Sequence, residues 1–243
     1  MPSQFVTRKT STISCETGAC SCCTGYRGQP VLVCWQGAQR DMLRGDISGV
    51  VNLERLAHQE CLYGLGPLEE AMGEVTILDS TPYIARVAAD GSLSVQNSFG
   101  NWACFLVYAK VPCWLKIELP ERVVSERSLE AILPELAERH GLEPERPFPF
   151  LLRGRPESVV IHVLNKEDLE PHTAEEHEKA KVRFTLEQTE IEAIGFYSRN
   201  HRGIFTPSDS SIHMHLATAD GSVSGHVETI SFPQGIELFL PTS

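Results

Sequence analysis

The sequence predicts a mixed α/β fold of the α+β class, with two β-rich subdomains and a few short helices. The first observation is a series of apolar runs that have the length of strands rather than of helices. The second is that segments with helical spacing and capping residues are few and short. The third is the composition, in which 42% of the 243 residues are apolar and 22% are charged, enough for an ordinary core.

The chain divides into three predicted parts. Residues 1–30 are rich in Ser, Thr, Gly and Cys and show no hydrophobic period, so we expect a flexible N-terminal arm. Residues 31–145 are the predicted N-terminal α/β half, and residues 146–243 are the predicted β-rich half. The Pro-rich stretch at 143–149 is the expected hinge between these halves.

The first half is predicted to combine short helices with strands. A helix is expected at 36–44, and a second one begins after Asn52, a residue type that caps helix N-termini well. The glycine-containing stretch 61–73 has the composition of a loop, and the turn at 89–91 reverses the chain. Strands are predicted at 75–78, 83–87, 93–95 and 103–109.

The remaining elements include one longer helix. It is predicted at 129–140, where leucines repeat at helical spacing and Gly141 suits the position after the helix end. Pro134 lies inside this pattern and either kinks the helix or marks its start. A short acidic helix is expected at 174–181. Strands are predicted at 158–164, 190–197, 211–216, 226–232 and 236–240.

The charge balance argues against two classes of partner. Lys and Arg number 21 and Asp and Glu number 32, which gives a net charge of −11. An acidic chain is repelled by nucleic-acid phosphates, and it lacks the basic face that an anionic membrane surface attracts. Neither a long apolar run nor an apolar signal core is apparent, so we expect a soluble, cytoplasmic protein without nucleic-acid or membrane partners.

The eight cysteines fall into two groups. Cys34, Cys61, Cys104 and Cys113 are scattered, and we expect them to be small buried hydrophobic residues. The other four crowd into the N-terminal arm, where they could bind a soft metal, form a redox pair or belong to an unstructured tail. These are Cys15, Cys20, Cys22 and Cys23.

Three histidines carry the strongest functional signal. His213 and His215 are two positions apart, so on a strand their side chains share one face. A turn signal at 219–221 returns the chain, which brings His226 beside them. Three imidazoles with open positions left over are the ligand set of a catalytic zinc, although other divalent metals also accept imidazole. The alternative is that the first two lie on a solvent face while His226 is an ordinary core residue.

These residues resemble the alpha-acetolactate decarboxylase family. That family carries Gly-Phe, then His-x-His, ten further residues and Gly-His, which correspond here to 195–196, 213–215 and 225–227. A second match lies at 64–66 and 73–79, where Gly-Leu-Gly and then Gly-Glu with Leu-Asp fall in register. The resemblance covers residues 31–241 and implies an acetolactate-decarboxylase-like fold.

The resemblance also implies an activity. In that family the three histidines bind zinc, and 2-acetolactate loses carbon dioxide to give acetoin. Loss of carbon dioxide leaves carbanion-like charge, which a Lewis acid on the neighbouring carbonyl spreads into an enediolate. The family's glutamate corresponds to Glu74, an acid/base or a group that orients the substrate. We therefore expect a zinc-dependent lyase, a small oxo/hydroxy acid substrate, and a homo-oligomer such as a homodimer.

Three departures from the family pattern surround the expected metal site. The family's carboxylate-binding arginine corresponds to His162, which could be a catalytic base, a fourth metal ligand or a plain strand residue. The family's C-terminal tail brings in another glutamate, whereas this sequence ends 17 residues after His226 and Glu237 is expected in a strand. The Gly-Leu-Gly segment continues with Pro67 instead of threonine.

Two rival functions stay open at this point. The first keeps zinc but changes the reaction to an isomerisation, an aldolase-like cleavage or a hydrolysis, because a substrate without a carboxylate fits the missing arginine. The second is a metal-binding or ligand-binding protein without turnover, in which the cysteine arm and the histidine site both handle metal.

Overall fold

The computed structural model describes residues 31–167, 170–232 and 235–242. The predicted arm at 1–30, with Cys15, Cys20, Cys22 and Cys23, lies outside the described residues. None of the helices in the described ranges has the length and hydropathy that crossing a membrane requires.

The described chain contains three α-helices, two 3-10 helices and sixteen strands. The helices are α1 (Gln39–Met42), α2 (Glu126–Arg139) and α3 (Ala174–Lys179), with 3-10 turns at Leu53–Leu56 and Glu69–Ala71. The strands are β1 (Val33–Gln36), β2 (Val51–Asn52), β3 (Leu62–Pro67), β4 (Glu74–Leu78), β5 (Thr81–Val87), β6 (Leu93–Gln96), β7 (Trp102–Ala103), β8 (Leu106–Lys110), β9 (Trp114–Ile117), β10 (Phe148–Gly154), β11 (Ser158–Leu164), β12 (Lys181–Glu187), β13 (Ile191–Tyr197), β14 (Ile212–Thr218), β15 (Ser224–Ser231) and β16 (Glu237–Pro241).

Two large antiparallel sheets and a small two-stranded one, β2-β7, contain these strands. The first has six strands in the order β1-β8-β3-β4-β5-β6, and the second has eight in the order β12-β11-β15-β14-β13-β10-β16-β9. The chain leaves the first sheet after Lys110 and enters the second at Trp114. This architecture confirms the predicted mixed, β-rich fold with a few short helices, while the division into halves at residue 145 stays a prediction.

Both faces of the second sheet are covered. Alternate side chains of β14 belong to two different hydrophobic cores, one on each face. Met214 and Leu216 join the core that α2 forms on one face, together with Leu129 and Leu133. Ala217, two positions after His215, belongs instead to the core shared with the first sheet. Because side chains alternate along a strand, His213 and His215 lie on the face that meets the first sheet.

The loop prediction for 61–73 is wrong for its first half, because β3 occupies six of its thirteen residues. Its glycines were interpreted as loop formers, but they serve close packing between strands. A Cβ on Gly66 would lie 2.2 Å from the carbonyl oxygen of Phe105, and one on Gly64 would lie 3.0 Å from Tyr108 Cβ. Glycine is therefore needed here to let β8 approach β3.

The helix predictions hold with changed boundaries. The segment 36–44 is a helix only at α1, since β1 extends to Gln36. Asn52 caps a 3-10 turn, where its side chain accepts a hydrogen bond from the backbone N–H of Glu54 at 3.0 Å. Helix α2 begins earlier than predicted, after the N-cap Ser125, and Pro134 lies within it.

The expectation for the scattered cysteines is right for one of the four. Cys104 is a buried free thiol, whereas Cys113 is buried but takes part in a disulfide. Cys34 is exposed because it lies on β1, the edge strand of the first sheet, and Cys61 is partly exposed at a left-handed backbone position before β3.

Gly195 gives the first testable prediction. It lies on β13 directly opposite Phe150 and beside Met214 of β14, and a Cβ there would lie 2.1 Å from Phe150 Cζ. Gly195→Ala is expected to lower the free energy of unfolding by about 3 kcal/mol through overpacking. Urea denaturation checks this, with Gly100→Ala as control because its new Cβ meets only Ser98 Oγ at 3.4 Å. Equal stability of both variants would contradict the packing argument.

Candidate metal centre and active-site cavity

A row of histidines crosses three neighbouring strands of the second sheet. His215 on β14 pairs directly with His226 on β15, and His226 pairs directly with His162 on β11. The ring centroids of His215 and His226 are 5.3 Å apart, and those of His226 and His162 are 4.4 Å apart in a stacked arrangement. His213 adds a fourth ring, with its centroid 4.7 Å from that of His226.

Backbone carbonyls define which nitrogen of two rings is available. His213 Nδ1 lies 2.7 Å from the carbonyl oxygen of Phe205, and His215 Nδ1 lies 3.0 Å from that of Val75. A carbonyl oxygen only accepts, so each Nδ1 carries the proton and donates it there. Each Nε2 is left with a lone pair, which is how protein carbonyls commonly orient metal-binding imidazoles.

The three predicted ligands fit a divalent metal ion. One nitrogen from each of His213, His215 and His226 can be chosen so that all three lie within 4.8 Å of one another. His213 Nε2 and His226 Nδ1 are 2.9 Å apart, and His215 Nε2 is buried without a hydrogen-bond partner in the described residues. A bound cation would supply the missing partner of this buried lone pair. A set of ligands made only of imidazoles suits zinc and related metals.

Glu74 is the acidic group of the site. It is the first residue of β4, is buried, and projects from the first sheet onto the histidine row. Its Oε2 lies 3.7 Å from His215 Nε2, and its Oε1 lies 3.9 Å from His162 Nε2. Burial raises the pKa of Glu74 well above its usual value, which favours the protonated acid in the metal-free protein.

His162 joins the site from β11 but lies outside the three-histidine group. Its ring is buried, with Nε2 directed to Glu74 and Nδ1 3.1 Å from Glu228 Oε1. Burial lowers the pKa of His162, so the imidazole is neutral near pH 7 and carries none of the positive charge of an arginine.

A cavity of about 160 Å³ opens onto these side chains. His162, His213, His226 and Glu74 line its inner part, and Phe105 and Pro67 contribute an apolar wall. Lys181 and Asp209 are the charged residues of its rim. The volume is below the roughly 300 Å³ of pockets for drug-sized ligands, which limits any occupant to a small molecule.

Sequence reasoning missed three residues of this site. Lys181 and His177 line the cavity, and Glu228 contacts His162. Strand β12, which begins at Lys181, was not predicted because its half-exposed edge position gives it no apolar run. Glu228 had a usable signal, since it follows His226 by two positions on a predicted strand. Glu237, by contrast, lies on β16 as expected and pairs with Lys116 away from the site.

Acid is expected to destabilise the metal-free protein. Burial lowers the pKa of His213 to about 4 and that of His177 to about 3, and it also lowers the pKa values of His162, His215 and His226. The unfolded chain takes up these protons near pH 6.5, so stability is complete above that pH and is lost as the pH falls toward 4. The raised pKa of Glu74 makes its contribution to stability change with pH in the opposite direction. This single group is outweighed by the five histidines.

Urea denaturation of chelator-treated protein between pH 7.5 and 5 measures this effect. The slope is at most about 1.4 kcal/mol per pH unit for each histidine. The zinc-loaded protein is the control, because a bound ion keeps the rings deprotonated until the ion itself is released. A denaturation midpoint that is the same at pH 7 and pH 5 for the chelated protein would contradict the prediction.

Comparisons with solved structures place this fold among known proteins. The chain is similar to alpha-acetolactate decarboxylase from Bacillus subtilis strain 168, with 17% identity, a TM-score of 0.67, and coverage of 86% of this chain and 84% of that chain. The acetolactate decarboxylase of Bacillus subtilis subspecies spizizenii gives 16% identity, a TM-score of 0.68, and coverage of 87% and 86%. A third similar structure is that of a Staphylococcus aureus protein of unknown function, described as similar to alpha-acetolactate decarboxylase. It has 13% identity and a TM-score of 0.67, with coverage of 86% of this chain and 84% of that chain.

The family assignment comes from the sequence. A search among curated proteins gave no match. The family model for alpha-acetolactate decarboxylase matches residues 37–240, which include both sheets, Glu74, His162 and the three clustered histidines. The protein belongs to the alpha-acetolactate decarboxylase family.

Proposed function

We propose that this protein is a zinc-dependent carboxy-lyase that converts 2-acetolactate, or a related small 2-hydroxy-3-oxo acid, to the hydroxyketone and carbon dioxide. The observation that carries the proposal is the cluster of three histidines with Glu74 and His162 beside it, next to one small cavity. The family match supports the reaction class.

In this proposal His213, His215 and His226 hold the ion. When bound, a divalent metal supplies a Lewis acid that polarises the oxygen next to the reacting carbon. The carbonyls of Phe205 and Val75 keep two of the rings in the tautomer that leaves Nε2 free. The ligands are thus oriented by the fold before any substrate enters.

Glu74 is the proposed proton donor. Decarboxylation breaks the bond between carbon and carboxylate, carbon dioxide departs, and the electron pair stays on the carbon, which then takes up a proton. The buried acid at Glu74 holds a proton at the inner part of the cavity, and His162 Nε2 lies 3.9 Å from its Oε1. We propose that His162 passes a proton taken up from solvent to Glu74, so that the acid is restored after each turnover.

A second candidate keeps the metal centre and changes the reaction to an isomerisation, an aldolase-like cleavage or a hydrolysis of a small oxo or hydroxy compound. The observation in its favour is that His162 is neutral at the position where the family has an arginine. The cationic Lys181 on the cavity rim favours the first candidate, since it attracts a carboxylate.

The experiment is an assay of purified, zinc-loaded protein with 2-acetolactate, measuring carbon dioxide and acetoin. Elemental analysis is expected to find one tightly held ion per chain. An ion without any carbon dioxide release would reject this substrate, and a panel of small oxo and hydroxy compounds then tests the second candidate. Absence of the ion would reject both. The expected homo-oligomer and cytoplasmic location also stay predictions, which sedimentation and cell fractionation test.

A further inference from the structure

Strand β15 carries an irregularity beside the histidine row. Along β11 the partner of Val160 is Thr229, but the partner of the next residue, Ile161, is Val227. Glu228 is therefore an extra residue in a β-bulge, and bulges next to active sites commonly redirect a side chain. The side chain that is redirected here reaches His162.

Several contacts hold the Glu228 carboxylate in place. Arg183 donates from Nε to Oε2 at 2.6 Å and from a terminal nitrogen to Oε1 at 3.0 Å, which is a two-pronged contact. Lys181 Nζ lies 3.6 Å from Oε1. The guanidinium of Arg183 and the nearby ammonium of Lys181 favour the ionised carboxylate, which only accepts hydrogen bonds.

The ring of His162 lies between this carboxylate and Glu74. Its Nδ1 is buried, 3.1 Å from Glu228 Oε1, although the contact is not aligned as a full hydrogen bond. On the other side, Nε2 lies 3.9 Å from Glu74 Oε1 and borders the cavity. An ionised carboxylate only accepts hydrogen bonds, so it favours the tautomer with the proton on Nδ1 and the lone pair on Nε2.

We propose that Glu228 is a positioning residue, which holds His162 with Nδ1–H directed to Glu228 and with the Nε2 lone pair directed to Glu74 and the cavity. The inference deepens the proposed function and rests on it for the role of His162 in turnover. It leaves the Nε2 lone pair free to take up a proton from solvent at the cavity and pass it to Glu74, while Nδ1–H stays in place. His162 is then neither a fourth metal ligand nor a plain strand residue.

The direct test is the tautomer of His162, measured by long-range ¹H–¹⁵N NMR on the zinc-loaded full chain with labelled histidine. His162→Gln identifies the signal. In the wild type the proton is expected on Nδ1. Glu228→Leu removes the acceptor, and the population is expected to move toward Nε2–H. Glu178→Leu is the matched control, since Glu178 contacts Lys181 and Arg183 but not His162, and it should leave the tautomer unchanged.

Kinetics provide a second readout if the wild type decarboxylates acetolactate. Glu228→Leu is expected to lower kcat about 100-fold with KM within about threefold, as for loss of a group that orients another. The same change in a His162→Gln background should lower kcat no further. Zinc content is expected to stay at one ion per chain in every variant.

Two results would overturn the inference. One is a Glu228→Leu protein whose His162 keeps the proton on Nδ1, and the other is a Glu178→Leu protein that shifts the tautomer equally. If Glu228→Leu does not fold, Glu228→Gln replaces it, with an intermediate tautomer population expected because an amide oxygen is a weaker acceptor; an unchanged population rejects the proposal. A wild type without activity on acetolactate rejects the substrate, and the NMR result still decides the role of Glu228.

Discussion

His215→Ala is expected to remove the metal ion and the catalytic activity together. His215 is fully buried in the centre of the second sheet, and its Nε2 is a buried nitrogen without a hydrogen-bond partner in the described part of the chain. A Lewis acid contributes several kcal/mol to the stabilisation of a transition state, so turnover should fall by about 10³-fold or more. The affinity for zinc should fall by more than the ~100-fold typical of losing an outer-shell partner.

Elemental analysis after dialysis and the carbon dioxide assay measure the two losses. His140→Ala is the matched control, because this histidine is exposed at the C-terminal end of α2 and distant in sequence from the cluster. Full zinc occupancy in His215→Ala would show that the ion is held elsewhere. The control variant should bind zinc and turn over substrate like the wild type.

Glu74→Gln is expected to lower catalytic activity while zinc binding is retained. The amide keeps the size of the side chain but cannot donate a proton from a carboxylic acid, so kcat should fall by about 10²–10⁴-fold, the range for loss of general acid catalysis. The three histidines are untouched, so zinc content should stay at the wild-type level. Loss of both zinc and activity would instead assign Glu74 to metal binding.

The same variant is expected to stabilise the metal-free protein at pH 7. The folded-state pKa of Glu74 is raised by burial, so folding keeps it protonated while the unfolded chain ionises it above about pH 4.5. That difference lowers the stability of the wild type increasingly as the pH rises, and glutamine does not titrate. Urea denaturation at pH 5 and pH 7 measures it, with the exposed Glu121→Gln as control. A variant less stable than the wild type at pH 7 would contradict this account.

The convergence of the three histidines was predictable because it depends only on the geometry of one strand and the turn that follows it. The spacing of His213 and His215 requires only the two-residue period of a strand, and the turn at 219–221 sets the return. The structure indeed pairs His215 directly with His226. The nearness of Glu74 followed from the family resemblance alone, because β4 belongs to the other sheet and contacts across sheets leave no periodic pattern in the sequence.

The features that were missed depend on tertiary contacts. Gly64 and Gly66 had the appearance of loop residues, and only the approach of β8 explains them as strand residues. The role of Glu228 depends on one extra residue in β15, and a bulge cannot be recognised from composition or periodicity. Lys181 was overlooked because an exposed edge strand such as β12 carries a weak hydrophobic signal.

The cross-strand row of histidines has a consequence for how such a protein diversifies. Position 162 belongs to β11, whereas the three clustered rings belong to β14 and β15. Exchange of the side chain at 162 therefore alters what the bound molecule meets and leaves the backbone ladder that carries the cluster intact. In the proposed function, substitution at position 162 would change the contacts with the substrate and leave the three proposed metal ligands unchanged.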